Sequence, residues 1–285
     1  MVEIIDGLLT PLSYAFIQRG LLAALMVGIL CSVIGCYVVL RSMAFLGDAM
    51  AHAVLPGVAV AYLLGRNLTL GALAAALVVA LGVGLFSRRG MIKEDTAIGV
   101  LFAAALSLGV VLISSIRTYA VDLSHILFGN VLGVSSLDLW LTAIIGGVIL
   151  ISILVFYRQF LVISFDPVLA ATLRIRVGLF NNLLLVLLAL TIVISMQTVG
   201  VGLVAAMLVT PAATAYLLVR RLPAMMVLSG LIGGFSSLVG LFASYHLNVA
   251  SGAAIVLTTT VIFLLVFLFA PQRGLVWDLS RRYST

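Results

Sequence analysis

Apolar segments of about 20 residues recur along almost the whole chain, and this repetition restricts the fold more than any other feature. A helix needs about 20 apolar residues to cross the hydrocarbon core of a bilayer. Hydrophobic residues make up 64% of the 285 residues and charged residues only 8%, whereas soluble domains carry roughly 25% charged residues. We therefore predict an all-α, polytopic transmembrane helical bundle. The candidate spans are 20–40, 43–64, 68–87, 96–115, 137–157, 178–198, 200–219, 223–244 and 252–270.

The number of spans depends on how the seventh segment is interpreted. Pro211 interrupts segment 200–219, and proline inside a helix removes a backbone hydrogen bond, so the pattern predicts eight or nine spans. The apolar segments use up nearly all of residues 1–285, which predicts a single transmembrane domain. Residues 1–19 carry no basic start and no small-residue cleavage site. We interpret them as an interfacial N-terminal segment and not as a signal peptide.

The distribution of basic residues predicts the orientation in the membrane, because cytoplasmic loops are enriched in Lys and Arg. Of the 15 basic residues, all but Arg19, Arg66 and Arg117 fall in segments on one side. That side is predicted to be cytoplasmic, with the N-terminus outside and the C-terminus inside. The net charge of +6 is then mostly this asymmetry, which suits a membrane-lipid environment and predicts no nucleic-acid partner. The predicted cytoplasmic residues are Arg41, Arg88, Arg89, Lys93, Arg158, Arg174, Arg176, Arg220, Arg221, Arg273, Arg281 and Arg282.

Asp48 and His52 are the candidate metal ligands. Of the nine acidic residues, only Asp48 falls inside a predicted span, and of the three histidines only His52 clearly does. Four residues apart, they project from the same face of a helix. His52 lies about 14 Å along that helix from its predicted start, close to the bilayer midplane. A carboxylate and an imidazole on one face are half of a divalent-metal site, although such a pair can also serve only to link helices.

One chain offers too few ligands for a closed metal site. No further Asp, Glu or His is predicted at the depth of Asp48 and His52. A two-fold homodimer would bring two copies of each residue together. The sequence therefore predicts a homodimer with the second span near the two-fold axis.

The segment Val39–Gly65, VLRSMAFLGDAMAHAVLPGVAVAYLLG, resembles the signature of the permease subunits of manganese/zinc/iron ABC importers. In that family the Asp and His of the GDA-x-x-H motif are the transmembrane metal ligands, and they match Asp48 and His52. The resemblance extends over nearly the whole chain. The other matching stretches are Glu94–Phe102, Val121–Ser135, Ser164–Gly178, Val199–Ala215, Ser251–Leu257 and Ala270–Gly274.

This resemblance implies a multi-pass protein of a prokaryotic cell membrane and a set of partners. Two permease chains would sit on two copies of a cytoplasmic ATP-binding subunit, and an extracellular or periplasmic binding protein would deliver the metal. The chain contains no G-x-x-x-x-G-K-[ST] motif, so we expect ATP hydrolysis by a partner and no enzymatic activity of its own. The outside segments Val121–Ser135 and Tyr245–Ser251 are the expected docking sites of the binding protein.

A cytoplasmic coupling helix is predicted within 164–178. Asp166 suits an N-cap and Pro167 the first helical position, while Gly178 suits the exit. Ala170 and Ala171 are small enough for a helix to enter a groove of the ATP-binding subunit closely. A plain cytoplasmic loop is the alternative interpretation of this segment. Val168 stands where this family more often has an acidic residue.

Several points stay open from the sequence. Thr210 and Thr214 flank Pro211 at i, i+4 spacing and either line the path or only pack between helices. The alternatives to an ATP-driven importer are an autonomous ion-coupled carrier, which would need more intramembrane acids than Asp48, and an intramembrane metalloenzyme, for which HExxH is absent. No permanently bound cofactor is expected, and the cargo is a divalent ion: manganese is favoured, with zinc or iron possible, because these ligands cannot exclude zinc by affinity.

Overall fold

The computed structural model describes residues 14–87, 93–115 and 131–270, and within them every regular element is a helix. Nine segments are long and apolar enough to cross a membrane, with α2 and α3 together counted as one. The predicted multi-pass helical bundle is thereby confirmed. The helices are α1 Ala15–Leu40, α2 Phe45–Ala53, α3 Leu55–Leu63, α4 Leu68–Ser87, α5 Glu94–Ser114, α6 Ser136–Val155, α7 Tyr157–Phe165, α8 Pro167–Thr172, α9 Val177–Val199, α10 Val201–Leu218, α11 Leu222–Leu247 and α12 Ser251–Phe269.

Two span boundaries differ from the prediction. Pro211 lies inside one continuous helix, α10, so of the two predicted counts the described residues support nine spans. The interruption lies in the second span, where α2 ends at Ala53 and α3 begins at Leu55. Pro56 has no N–H to donate to the carbonyl of His52, and that carbonyl accepts instead from the N–H of Val54. In addition, α1 begins at Ala15, so residues 15–19 of the predicted interfacial segment belong to the first span, and residues 1–13 lie outside the described residues.

Helix α1 is the centre of the bundle and packs closely against α10 and α11. A Cβ atom added at Gly35 of α1 would overlap the backbone carbonyl of Leu208 in α10, so only glycine allows this approach. On the other side, the Ser237 hydroxyl of α11 donates a hydrogen bond of 2.9 Å to the Ala24 carbonyl of α1. Small residues at helix contacts are the usual means of association in lipid, since apolar side chains gain little there from leaving water.

The ends of α1, α3 and α8 share a backbone motif, which α11 also has at Asn248. The N–H of Met43 donates to the Val38 carbonyl at 2.9 Å, that of Arg66 to Ala61 at 2.8 Å, and that of Ile175 to Ala170 at 3.0 Å. Each bond closes a Schellman turn whose preceding residue is left-handed. That residue is Gly65 at the end of α3, but Ser42 after α1 and Arg174 after α8 have φ angles of 56° and 57°. The turns at Ser42 and Arg174 therefore hold non-glycine residues in a conformation that favours glycine.

Candidate functional site

Helix α2 buries one face and presents Asp48 and His52 on the other. Leu46, Ala49, Met50 and Ala53 are buried, and Gly47 packs against Leu208 of α10, where an added Cβ would lie 3.1 Å from a Leu208 methyl carbon. The period of the helix then places the residues four apart on the open face. The packing of the buried face of α2 thus determines the direction in which the Asp48 and His52 side chains project.

The imidazole of His52 is oriented by its own helix. Its Nδ1 lies 3.0 Å from the backbone carbonyl oxygen of Asp48 and 3.6 Å from Oδ1 of the Asp48 carboxylate. A carbonyl oxygen can only accept, so Nδ1 carries the hydrogen and donates it. The Nε2 lone pair is then free for a metal ion, which is the usual arrangement of a histidine ligand.

The predicted half-site, Asp48 and His52, is partly open to the surface of the single chain. The Asp48 side chain is 48% exposed and that of His52 is 32% exposed. Across the described residues no group of three or more His, Cys, Asp or Glu is positioned to hold a metal. A charged carboxylate on the outer face of a membrane-spanning helix costs about 2.5–3.5 kcal/mol or more unless something covers it. The structure of one chain therefore leaves both the ligand set and the covering of Asp48 incomplete.

One aromatic side chain from α5 forms a wall of the half-site. The ring of Phe102 meets the His52 ring edge to face at a centroid distance of 6.2 Å and the Phe45 ring at 5.6 Å. Both distances fall in the range of favourable aromatic pairs. Phe102 thus links α5 to the face of α2 that carries Asp48 and His52.

The predicted coupling segment contains a helix, but a shorter one than expected. The Asp166 carboxylate caps α8 by accepting from the N–H groups of Val168 and Leu169 at 2.9 and 3.0 Å, as predicted. The helix ends at Thr172, however, and Gly178 is the second residue of the next span, α9. The prediction that one helix continues from Asp166 to an exit at Gly178 is wrong, because Arg174 turns left-handed and reverses the chain.

The outward face of α8 is apolar. Ala170 is buried against the body of the protein, whereas Ala171 faces outward. Val168 and Leu169 on this short helix and Leu173 at its C-cap are exposed large hydrophobic residues. Neither Leu169 nor Leu173 was predicted as a candidate site residue. The available signal was an apolar V-L-A-A-T-L stretch in a segment predicted to lie outside the membrane.

Thr210 and Thr214 do not join the half-site. The hydroxyl of Thr214 is buried and donates to the Thr210 carbonyl at 2.7 Å within the same helix. Across the described residues, no hydrogen bond connects either threonine to Asp48 or His52.

Sequence reasoning missed a second polar cluster, which we call the Arg41 cluster: Arg41, Glu94 and Asn181. Arg41 follows α1, Glu94 begins α5 and Asn181 lies in the second turn of α9. The Arg41 guanidinium donates to Glu94 Oε1 at 3.3 Å and to Asn181 Oδ1, and Asn181 Nδ2 donates to Glu94 Oε1 at 3.0 Å. Burial lowers the pKa of Arg41, and the Glu94 carboxylate counteracts that effect. No spacing in the sequence connects the three residues, because Glu94 is 53 positions and Asn181 is 140 positions from Arg41.

The likeness to known proteins covers nearly the whole chain. Residues 13–270 match the model of the ABC 3 transport family. The chain is 50% identical over 265 residues to "Manganese transport system membrane protein MntC" of Halalkalibacterium halodurans, covering 93% of this chain and 91% of that protein. It is 45% identical over 273 residues to "Manganese import system permease protein ScaB" of Streptococcus parasanguinis, covering 96% of each.

A solved structure agrees with this likeness. The chain superposes on a chain of PsaBC from Streptococcus pneumoniae in complex with Fab with a TM-score of 0.83 and 42% sequence identity, covering 98% of this chain and 99% of that one. At this identity and coverage the likeness extends to the whole arrangement of helices. The protein is thus a multi-pass membrane protein of a prokaryote, and it belongs to the ABC 3 transport family.

Proposed function

We propose that this chain is the permease subunit of an ATP-driven importer of manganese, and that Asp48 and His52 of two copies bind the ion in transit. The observation that carries the proposal is the open half-site. One helix presents a carboxylate and an imidazole with a free Nε2, half-exposed on a membrane-spanning segment. Relatives at 50% and 45% identity carry names that include manganese transport or import, which supports manganese as the cargo.

A second copy of the chain would complete the site. Two-fold symmetry places like residues opposite each other, so two chains would supply two carboxylates and two imidazoles. The partner would also cover Asp48, whose exposure to lipid is costly. Beside the site, an apolar groove of about 460 Å³ begins at Ala53 and Pro56 and runs between α3, α4 and α5. This groove supports the dimer proposal by offering apolar surface next to the ligands.

The short helix α8 would be the contact with the ATP-binding partner. Exposed Val168, Leu169 and Leu173 leave apolar surface on a helix that is too short to span a membrane, and such surface is favourable only when a partner covers it. In this proposal the end of the bundle that carries α8 and Arg41 faces the cytoplasm, in keeping with the distribution of basic residues. ATP binding would then move α8 and switch the opening of the site between the two sides.

The metal site is tested by replacing its ligands. Asp48→Asn and His52→Ala should each lower manganese uptake at least about tenfold, because loss of even an outer-shell partner costs 10- to 100-fold in metal affinity. Uptake is measured in a strain that lacks its own manganese importers, with the amount of chain in the membrane measured in parallel. Asp138→Asn makes the same chemical change at an exposed helix cap and should leave uptake near wild type. Uptake at the wild-type rate by Asp48→Asn would refute the site.

A further inference from the structure

The Arg41 cluster is a closed triangle of hydrogen bonds. Arg41 reaches both Glu94 and Asn181, and Asn181 reaches Glu94, so each pair among the three is in contact. The Arg41 side chain is only 9% exposed and that of Glu94 is 28% exposed. Buried charges of this kind are poor contributors to stability, because the loss of hydration offsets their attraction. Stability alone therefore does not explain why Arg41 and Glu94 are placed here, which indicates a further role.

One buried donor of the Arg41 cluster has no hydrogen-bond partner. The Nη1 nitrogen of Arg41 is buried and has no hydrogen-bond partner among the described residues. An arginine that served only to stabilise the bundle would be expected to satisfy its donors, since buried polar groups without partners are rare. A buried guanidinium with one nitrogen unsatisfied suits a contact that has to form and break.

Each residue of the triangle lies on or next to a different element of the proposed transport path. Arg41 precedes the left-handed turn at Ser42 that starts α2, the helix of Asp48 and His52. Glu94 begins α5, whose Phe102 packs against the His52 ring. Asn181 lies on α9, which begins at Val177 directly after the turn that ends α8. The cluster thus connects α9, which follows α8, to the first turn of α5 and to the turn that leads from α1 into α2.

We propose that Arg41, Glu94 and Asn181 are positioning residues that form a lock between α8 and the metal half-site, an inference that rests on the proposed function. With the triangle closed, the turn between α1 and α2 is held to α5 and α9 at the end of the bundle that faces the ATP-binding partner. When that partner displaces α8, α9 carries Asn181 away, and Arg41 loses an acceptor while Glu94 loses a donor. The α2 and α5 walls are then free to separate and release the ion.

The decisive variant is Asn181→Ala, tested in the full complex with its ATP-binding and metal-delivering partners in proteoliposomes. It removes one acceptor of Arg41 and one donor to Glu94 at once. We expect ATP hydrolysis without manganese to rise at least threefold and manganese transported per ATP to fall at least fivefold. Manganese should still bind to the complex, but it should dissociate at least threefold faster than from wild type, because the α2 and α5 walls separate more readily. Glu94→Gln, which keeps an acceptor but not the charge, should shift both readouts in the same direction by less.

The matched control is Asn182→Ala, one residue along α9. The Asn182 Oδ1 atom is buried without a hydrogen-bond partner in the described part of the chain, so its removal breaks no hydrogen bond at that oxygen and none within the Arg41 cluster, and coupling should be as in wild type. If Asn181→Ala behaves like Asn182→Ala, or if it loses ATP hydrolysis and manganese binding together, the lock is wrong. If Asp48→Asn transports normally, the failure lies instead in the proposed metal site. The two failures are therefore distinguishable.

Discussion

The two polar regions of this protein differ in how they are built and in what they leave unsatisfied. Asp48 and His52 lie on one helix, four residues apart, and keep a carboxylate and a ring nitrogen open. Arg41, Glu94 and Asn181 come from three different parts of the chain and mostly satisfy one another. The first arrangement suits binding of a partner from outside the chain, and the second suits holding parts of the same chain together. In the proposed mechanism, this difference separates a site that receives cargo from a contact that controls its release.

The first prediction concerns whether the open region is shared between two chains. When wild-type and Asp48→Asn chains are co-expressed in equal amounts, half of the dimers are mixed and a quarter are fully wild type. If a mixed site that lacks one carboxylate is inactive, uptake should fall to about a quarter of the wild-type value. Uptake of about half would mean that each chain carries a complete site. Differently tagged chains allow the mixed dimers to be counted by sequential purification.

The second prediction concerns the outward face of α8, because in the proposal the ATP-binding partner opens the lock by displacing this helix. Ala171→Glu places a charge among the exposed apolar residues Val168, Leu169 and Leu173. We expect recovery of the ATP-binding subunit with this variant to fall about tenfold, since a charge that is buried unpaired in an interface is strongly unfavourable. Manganese binding should be retained. Unchanged assembly and transport would move the ATPase contact to another segment, with 88–95 the next candidate.

Asp166 supplies the control for that experiment, because it shapes α8 without lying on its apolar face. Asp166→Asn retains an oxygen that can cap the helix and should couple normally. Asp166→Ala loses both capping bonds, at a cost of about 1 kcal/mol to the helix. Coupling should weaken only partly in Asp166→Ala. An equal loss in both Asp166 variants would indicate that the charge itself contacts the partner.

The smallest expected effect concerns two left-handed turn residues, Ser42 beside the Arg41 cluster and Gly65 after α3. Ser42→Gly removes the side chain from a left-handed residue beside Arg41 and should raise stability by up to about 1 kcal/mol. Gly65→Ala makes the reverse change in the equivalent turn, where an added Cβ would meet no atom within 4 Å, and should lower stability by a similar amount. Thermal unfolding of the purified chain in detergent measures both. Opposite signs are the expected result, and equal signs would contradict it.

The features that depend on local sequence were predictable. Apolar segments of sufficient length identified the spans, because a helix in lipid satisfies its own backbone hydrogen bonds and needs no distant partner. The pairing of Asp48 with His52 followed from the helical period alone. The cap at Asp166 also followed, since a capping side chain bonds to a backbone N–H only two or three residues away.

The features that depend on packing were not predictable. Pro211 continues a helix while the second span breaks before Pro56, because neighbouring helices decide whether a proline-containing segment stays straight or divides. The left-handed Arg174 shortened the coupling helix without a glycine signal. The exposure of Leu169 and Leu173 depended on which face of α8 the rest of the protein covers.

By itself, the sequence determined a helical membrane protein with a carboxylate and an imidazole on one face of its second span. Both results follow from interactions over at most a few residues, namely backbone hydrogen bonds and side-chain spacing within a helix. Only the tertiary structure decided that this pair is left open and that Arg41 meets Glu94 and Asn181. Those contacts join residues as far as 140 positions apart, and their formation depends on how separate helices come together in the bundle.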